Sequence, residues 1–307
     1  MFKLHVFALL LGTILEFVFG RIYSLWNPFE SIKRLIGFLD RALLGDELIL
    51  LEPSKQRSFG RWLIAIVLIP VFVVILLFTV LCYEIAPFFG VLFEAIATYF
   101  CLDYHRLYYG GIGVMEDFYS DGIAVMKHSV GIFIDREEEV DTEFGVTRDV
   151  ITYLAKESGH SVLSSLFVMF LFGPVGGFLY RSLIIIQDII GNGEACNYRY
   201  EYFGQSIVQV NKVVDWLPSR VSGELIVFCA RHTFGGFNGK NAKYIYMRDG
   251  RGSVPAFAGA LEIALGTGLI GDNDKAIEAK DIRKAVGLLK NCFLLCQVIL
   301  VFLLVFF

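Results

Sequence analysis

The sequence is short of charge. Of its 307 residues only 19% are Asp, Glu, Lys or Arg, while 56% are hydrophobic. A soluble domain is ~45–50% apolar and ~25% charged, and the mean hydropathy here is +0.61. That balance excludes an ordinary soluble globular domain and implies an integral membrane protein. A formal net charge of -4 lacks the basic excess that nucleic acid demands, so no nucleic-acid partner is expected. The six cysteines include no Cys-x-x-Cys pair. They read as small hydrophobes, without a disulfide framework. His-Glu-x-x-His is absent and the five histidines are scattered, so no metal ligands are assigned. The nearest approach to a phosphate loop, Gly235-Gly236-Phe237-Asn238-Gly239-Lys240, fails. Phe234 stands at its first glycine position and Asn241 replaces the Ser/Thr that would follow Lys240. A small-x-small cleavage site is also missing after the first apolar run, which leaves through Phe17-Val18-Phe19-Gly20-Arg21. That run reads as a retained membrane helix rather than a cleaved signal.

What is present is apolar length. A spanning helix needs about 20 apolar residues. Candidate membrane segments fall at about 2–19, 62–83, 85–102 and 291–307, and 62–83 with 85–102 reads as a hairpin. The run 161–190 differs, because Gly173-Pro174-Val175-Gly176-Gly177 cuts it into two pieces of about a dozen residues. Such a broken helix is tolerated at membrane depth where it is buried in protein or lines a cavity. Segment 20–61 holds seven Lys/Arg, which places it in the cytoplasm by positive-inside bias. Segment 191–290 holds thirteen Lys/Arg against ten Asp/Glu, and a re-entrant 161–190 keeps those cations inside. Met115, Phe118, Tyr119, Gly122, Met126, Ser129, Val130 and Phe133 fall on one side of a helix, as do Ile282, Ala285, Val286 and Leu289. The expected fold is all-α: a polytopic integral membrane protein with a re-entrant broken helix and helical cytoplasmic segments. It forms a single domain over 1–307, in contact with membrane lipid.

Ionisable residues inside apolar runs mark function or pairing. Glu16, Glu94 and Arg181 are such residues here. The stretch "VNKVVDWLPSRVSG" at 210–223 has helical spacing at Val210, Val213, Val214 and Leu217. Pro218 is expected to end that helix, with Asp215 and Arg220 gathered at the break.

Ordered motifs then carry a resemblance. Asn27-Pro28-Phe29 with "SIKRLIGFLDRALLG", "GIAVMKHSVGIFIDRE", "LAKESGHSVLSSLFV", "GPVGGFLYRS", Phe203-Gly204 with "VNKVVDWLPSR", and "AGALEIALGTG" run in that order. The chain resembles the CobD/CbiB family of cobalamin biosynthesis, the adenosylcobinamide-phosphate synthases, from about Glu16 to the last span. The resemblance implies a polytopic helical protein that joins a corrinoid carboxylate to aminopropanol or its phosphate. ATP and Mg²⁺ would be its cofactors, and a corrinoid small molecule its substrate. It implies a bacterial-type inner membrane, crossed several times. It further implies a cytoplasmic pocket framed by Arg136, Tyr180, Arg181 and Arg220, whose guanidinium groups hold phosphate or carboxylate in bidentate fashion. Asp215 is the acidic candidate. Departures fall in the same motifs. Lys156, Glu157 and His160 stand where the family has Glu, Asn and Asp. Ile184 and Gln187 replace an Asn and an Asp, and Asn211 and Lys212 replace paired aspartates. "DWLPSRVSG" is also similar to a run in the AmpE proteins. The alternative reading is therefore a non-catalytic, AmpE-like regulatory membrane protein. A transporter reading rests on the broken helix alone.

Overall fold

Apolar runs without capping residues dictate long helices, and long helices dominate. The computed structural model describes residues 2–20, 22, 26–45, 52–134, 142–191, 200–272 and 275–306. Among these there is no strand, only an isolated bridge between Leu265 and Ile270. The protein is an all-α polytopic membrane protein, and four helices among the described residues are long and apolar enough to cross a bilayer: Phe2–Phe19, Pro53–Ile85, Glu143–Gly191 and Lys280–Phe306.

The chain divides into two units. The first comprises Met1–Gly12, Ile22–Cys101 and Ser165–Leu217. It holds the start of α1 (Phe2–Phe19), then α2 (Pro28–Leu44), α3 (Pro53–Ile85) and α4 (Pro87–Cys101). Much later in the chain come α8 (Ser165–Ile186) and α9 (Phe203–Val214). Asn27 caps α2, its side chain accepting from the Phe29 N–H, with Pro28 pre-set for the first turn. α3 is apolar on nearly every side, and Phe72, Val73, Leu77 and Leu81 are all exposed, as lipid contact requires. It continues unbroken through Pro70. α4 packs on it, which completes the hairpin. With 15 residues, α4 is about 22 Å long and falls short of the ~30 Å hydrocarbon core. It is a short helix rather than a second full span, because Pro87 fixes its start and Cys101 its end.

α8 is broken where the Gly-Pro sequence puts the break. Gly173 has φ 63 and ψ -159, a left-handed conformation that an L side chain resists. Upstream, however, the helix does not stop at residue 161. It continues back through a wide π-helical turn, Ser158–Ser164, into α7 (Glu143–Glu157). A second π turn, Gln187–Gly191, follows α8.

The second unit comprises Thr13–Arg21, Leu102–Ser164 and Pro218–Phe307. It contains α5 (Tyr104–Asp121), α6 (Ile123–Ile134), α7 with its π turn, α10 (Trp216–His232) from Pro218 on, α11 (Gly239–Arg248), α12 (Ser253–Leu261) and α13 (Lys280–Phe306). The apolar face read over 115–133 belongs to two helices rather than one, because Gly122 at φ 82 closes α5. Met115, Met126, Val130 and Phe133 are nonetheless buried, while Tyr119 is exposed. Ile282, Ala285, Val286 and Leu289 are all buried on α13, which runs without interruption into its apolar half. Glu16 is a structural acceptor: its Oε1 takes the His105 N–H at 2.8 Å, which satisfies one of the first-turn amides of α5.

A loop after α12 is tied down by one arginine. Arg248 donates to Asp249 Oδ1 at 2.6 Å, to Asp272 at 2.9 Å and to the Gly271 carbonyl at 3.1 Å. The Gly271 N–H donates to Asp249 at 2.8 Å. The Arg248 hydrogen bond holds the Asp249 carboxyl below its ordinary value, against a smaller upward push from burial. A carboxylate depressed in the folded state stabilises above its unfolded value of about 3.9 and loses that contribution as pH falls through its folded value. Protease cleavage within 262–272 is therefore expected to be slow at pH 7 and faster near pH 3. Arg248→Ala should be cleaved fast at both pH values.

Candidate functional site

The motif residues of the first unit fall on one seam between α8 and α9, which run antiparallel. A Cβ built on Gly204 would lie 2.7 Å from the Ile190 carbonyl oxygen, so the two backbones touch there. One turn on, a Cβ on Gly191 would lie 3.3 Å from Val208 Cγ2 and 3.0 Å from Gln187 Cγ. At the far end Tyr180 donates its hydroxyl to Asp215 Oδ1 at 2.6 Å. This register sets Asn211 opposite the turn that carries Ile184 and Gln187. Tyr180 and Asn211 are buried, and Asp215 is half-buried.

Asn211 Oδ1 and Gln187 Oε1 are both buried with no donor among the described residues. With Asp215 they make the seam rich in acceptors, so a group bearing N–H or O–H donors would complete it. Arg181, beside Tyr180, is buried at 8% exposure with its guanidinium 5.9 Å above the Phe29 ring. That contact fixes a cation on α8 one residue after Tyr180. Lys212, by contrast, is exposed.

The structure corrects one boundary. α9 ends at Val214, and the Asp215 N–H closes it on the Asn211 carbonyl at 2.7 Å. α10 starts at Trp216, so Pro218 opens a helix rather than ending one. Its missing N–H belongs to the first turn, where no intrahelical partner exists. Asp215 is thus the single residue that joins the two helices.

In the second unit two motif stretches and the start of α12 meet at Gly159, in the first π turn. A Cβ there would lie 2.6 Å from Ser253 Cβ at the start of α12 and 3.7 Å from Ser222 Oγ on α10. π turns inside α-helices frequently mark functional positions. Arg220 is half-buried on α10, and its carbonyl accepts from the Tyr246 hydroxyl at 3.3 Å. Burial pushes the Tyr246 phenol up, Glu224 adds to this, and Arg251 and Arg220 pull it back. Arg220 and Arg251 therefore flank one tyrosine near the α12 N-terminus.

Behind the π turn lies a charged network. Arg106 donates to Asp103 Oδ2 at 3.2 Å, to the Tyr153 hydroxyl at 3.0 Å and to the Phe133 carbonyl at 3.1 Å. Burial works against its charge, but Asp103, Tyr153 and Glu157 more than offset it, and the guanidinium stays above its ordinary value. Glu157 is buried and accepts from Ser161 one helical turn away.

Of the five residues picked from sequence, the structure joins Tyr180 to Asp215, and Arg181 lies in the same unit, packed on Phe29. Arg220 lies in the second unit, and Arg136 lies outside the described residues. Arg106, Glu157, Arg251 and Ser253 were not picked out as site residues. Arg106 and Arg251 stand in no recognised motif, so only spatial proximity reveals them. No group of three or more His, Cys, Asp or Glu able to hold a metal occurs among the described residues. The seam and the π turn instead offer single carboxylates, Asp215 and Glu157. Mg²⁺ carried by a nucleotide needs only one or two of these.

Tyr180 and Asp215 give a direct test. Asp215→Ala strands a buried hydroxyl and is expected to cost about 1–3 kcal/mol, whereas Tyr180→Phe removes the donor and costs nearer ~1 kcal/mol. Thermal unfolding in detergent would rank them. Equal losses would show that the hydrogen bond does not set the seam.

Comparison with known proteins follows this geometry. A family model described as CobD/Cbib protein matches residues 9–289. The Clostridium perfringens protein named "Cobalamin biosynthesis protein CobD" is 25% identical over 303 residues, 92% of this chain and 92% of the relative. The Brucella melitensis protein of the same name is 25% identical over 276 residues, 86% of this chain and 82% of its own. One from Halalkalibacterium halodurans is 22% identical over 319 residues, covering 96% and 95%. No solved structure matches the chain.

Proposed function

We propose that this chain, which belongs to the CobD/CbiB family, is a membrane enzyme of cobalamin biosynthesis. It would condense the carboxylate of cobyric acid with the amine of aminopropanol or its phosphate. The observation that carries this reading is end-to-end similarity, 92% of both chains for the Clostridium protein. A regulator of the AmpE kind is not favoured, because the relatives matched over the whole length bear the CobD name.

Amide formation from a carboxylate must turn one oxygen into a leaving group. Bound ATP would supply a phosphate to carry that oxygen away, and Asp215 or Glu157 would hold its Mg²⁺. The chain's own residues do the holding. In the first unit Arg181, fixed on Phe29, would neutralise an anionic group, and in the second unit Arg220 with Arg251 would do so. The acceptors Asp215, Asn211 and Gln187 receive hydrogen-bond donors. Amides at 187 and 211 keep this accepting capacity without charge. Corrinoid and lipid are the expected partners.

Expression in bacteria lacking their own synthase, fed cobyric acid, tests the reading. Cobinamide formation is expected, and none at good membrane expression would overturn it. We place the protein in the inner membrane with 191–290 inside. A cysteine introduced at Lys240 should react with an impermeant thiol reagent only after the cells are broken, and labelling in intact cells would reverse that orientation.

A further inference from the structure

Glu94 is not one of the five site residues picked from sequence. It is buried at 2% exposure on α4, beside the break in α8: a Cβ on Gly173 would lie 3.8 Å from Glu94 Oε1. Three other elements of the first unit converge on it. His5 of α1 meets Oε1 through Nδ1. Tyr83 of α3 donates its hydroxyl to Oε2 at 2.8 Å. On its other side, His5 Nε2 lies 2.9 Å from the Phe170 carbonyl of α8.

That carbonyl explains the arrangement. In an α-helix the carbonyl of residue 170 accepts from the N–H of residue 174. Residue 174 is proline, which has no N–H. The Gly-Pro break therefore orphans the Phe170 oxygen at membrane depth, where an unmet polar group is costly. His5 reaches in from α1 and satisfies it. A carbonyl only accepts, so Nε2 must carry the hydrogen and donate. Tyr83 likewise donates to Oε2. What remains is Nδ1 against Oε1, two acceptors that bond only through one proton between them. With it the cluster is net neutral, either as imidazolium and carboxylate or as imidazole and carboxylic acid. Without it, two lone pairs face each other inside the protein.

We propose that His5, Glu94 and Tyr83 form a proton-dependent clasp that holds α1, α3 and α4 onto the break of α8. One proton on the His5–Glu94 pair closes the clasp, and its loss opens it. The titratable group facing the pair from α3 is Tyr83, while α8 contributes only a carbonyl. The clasp is therefore intact at pH values below departure of the shared proton and lost above it. It sets the geometry of the broken helix independently of what the motif residues bind.

Thermal unfolding of the full chain in lipid nanodiscs, from pH 6 to pH 10, tests this. The double variant His5→Gln, Glu94→Gln keeps an N–H for the Phe170 carbonyl and an amide pair in place of the shared proton. The wild-type midpoint is expected to fall by several degrees more than that of the double variant as pH rises. Parallel curves would overturn the clasp. If the double variant does not insert, the wild type itself decides through ¹⁵N spectra of labelled histidine. One of the five histidines should show a protonated Nε2 and a hydrogen-bonded Nδ1 at pH 6, and lose the Nδ1 bond at pH 10. Five imidazoles titrating as free side chains would contradict it.

Discussion

Leucine in place of Arg106 is expected to destabilise the second unit by about 3 kcal/mol, the low end of the cost of removing one partner from a buried charged pair, because Arg106 and Asp103 are half-buried. Arg106 satisfies three groups that have few alternatives: Asp103, the Tyr153 hydroxyl, and the Phe133 carbonyl in the last turn of α6. Carbonyls in a last turn have no intrahelical donor. The guanidinium also lies 5.8 Å from the centre of the Tyr153 ring. Leucine fills the volume but removes the guanidinium from Asp103, Tyr153 and Phe133. Arg106→Lys is expected to recover part of the loss, since an ammonium reaches Asp103 but cannot fork to Tyr153 and Phe133 together. Thermal unfolding should show the midpoint of Arg106→Leu lower by roughly 5–10 °C. A midpoint equal to wild type would mean that the network adds no stability.

Gly60→Val is the second large effect, and it acts through packing. Gly60 lies on α3 where α9 begins, and any Cβ there would enter the contact radius of the Phe203 carbonyl oxygen, with the carbonyl carbon at 3.3 Å. The obstacle is backbone, so no rotamer change relieves it. Overpacking of this kind costs about 1–3 kcal/mol and sometimes more. Pushing α9 away also strains the bond from Ser206 Oγ to the Arg57 carbonyl, 3.1 Å long, worth about 1 kcal/mol. Gly37 on α2 is the control. Nothing lies within 4 Å of a Cβ there, so Gly37→Ala is expected to stabilise by about 0.4–1 kcal/mol through reduced chain entropy. If both substitutions moved the midpoint alike, close contact between α3 and α9 would not be what glycine provides.

The membrane helices were legible because composition alone specifies them. α3 and α13 need no partner to be recognised, and Gly173-Pro174 announces a break by its own stereochemistry. α4 was overestimated, since a hairpin partner can be shorter than a span when it leans on α3. The boundary at Asp215 was misread for a reason of position. Proline ends a helix when it follows one, and begins a helix when it falls in the first turn. Only the chain's path decides between the two. The π turns at 158–164 and 187–191 leave no periodic signature, because an extra residue per turn is imposed by packing.

The site was legible in part. Tyr180, Arg181 and Asp215 stood out by charge and motif, and Gln187 and Asn211 by departure from a pattern. Their shared seam was not readable, because register between helices 20 or more residues apart depends on the close approach of Gly204 to Ile190. Arg106 and Arg251 are single arginines in ordinary surroundings. Beyond the nearby Asp103, Arg106 meets Phe133 and Tyr153 from distant stretches, and sequence spacing carries no sign of those.

Retained amide synthesis is tested most directly with purified protein in lipid nanodiscs, supplied with cobyric acid, aminopropanol or its phosphate, ATP and Mg²⁺. Mass spectrometry should find the amide product with wild type. The product should fall by about 100-fold or more with Asp215→Ala, a residue placed to orient one reactant. Folded wild-type protein that forms no amide, or an Asp215→Ala variant as active as wild type, would contradict the assignment of this seam to the reaction.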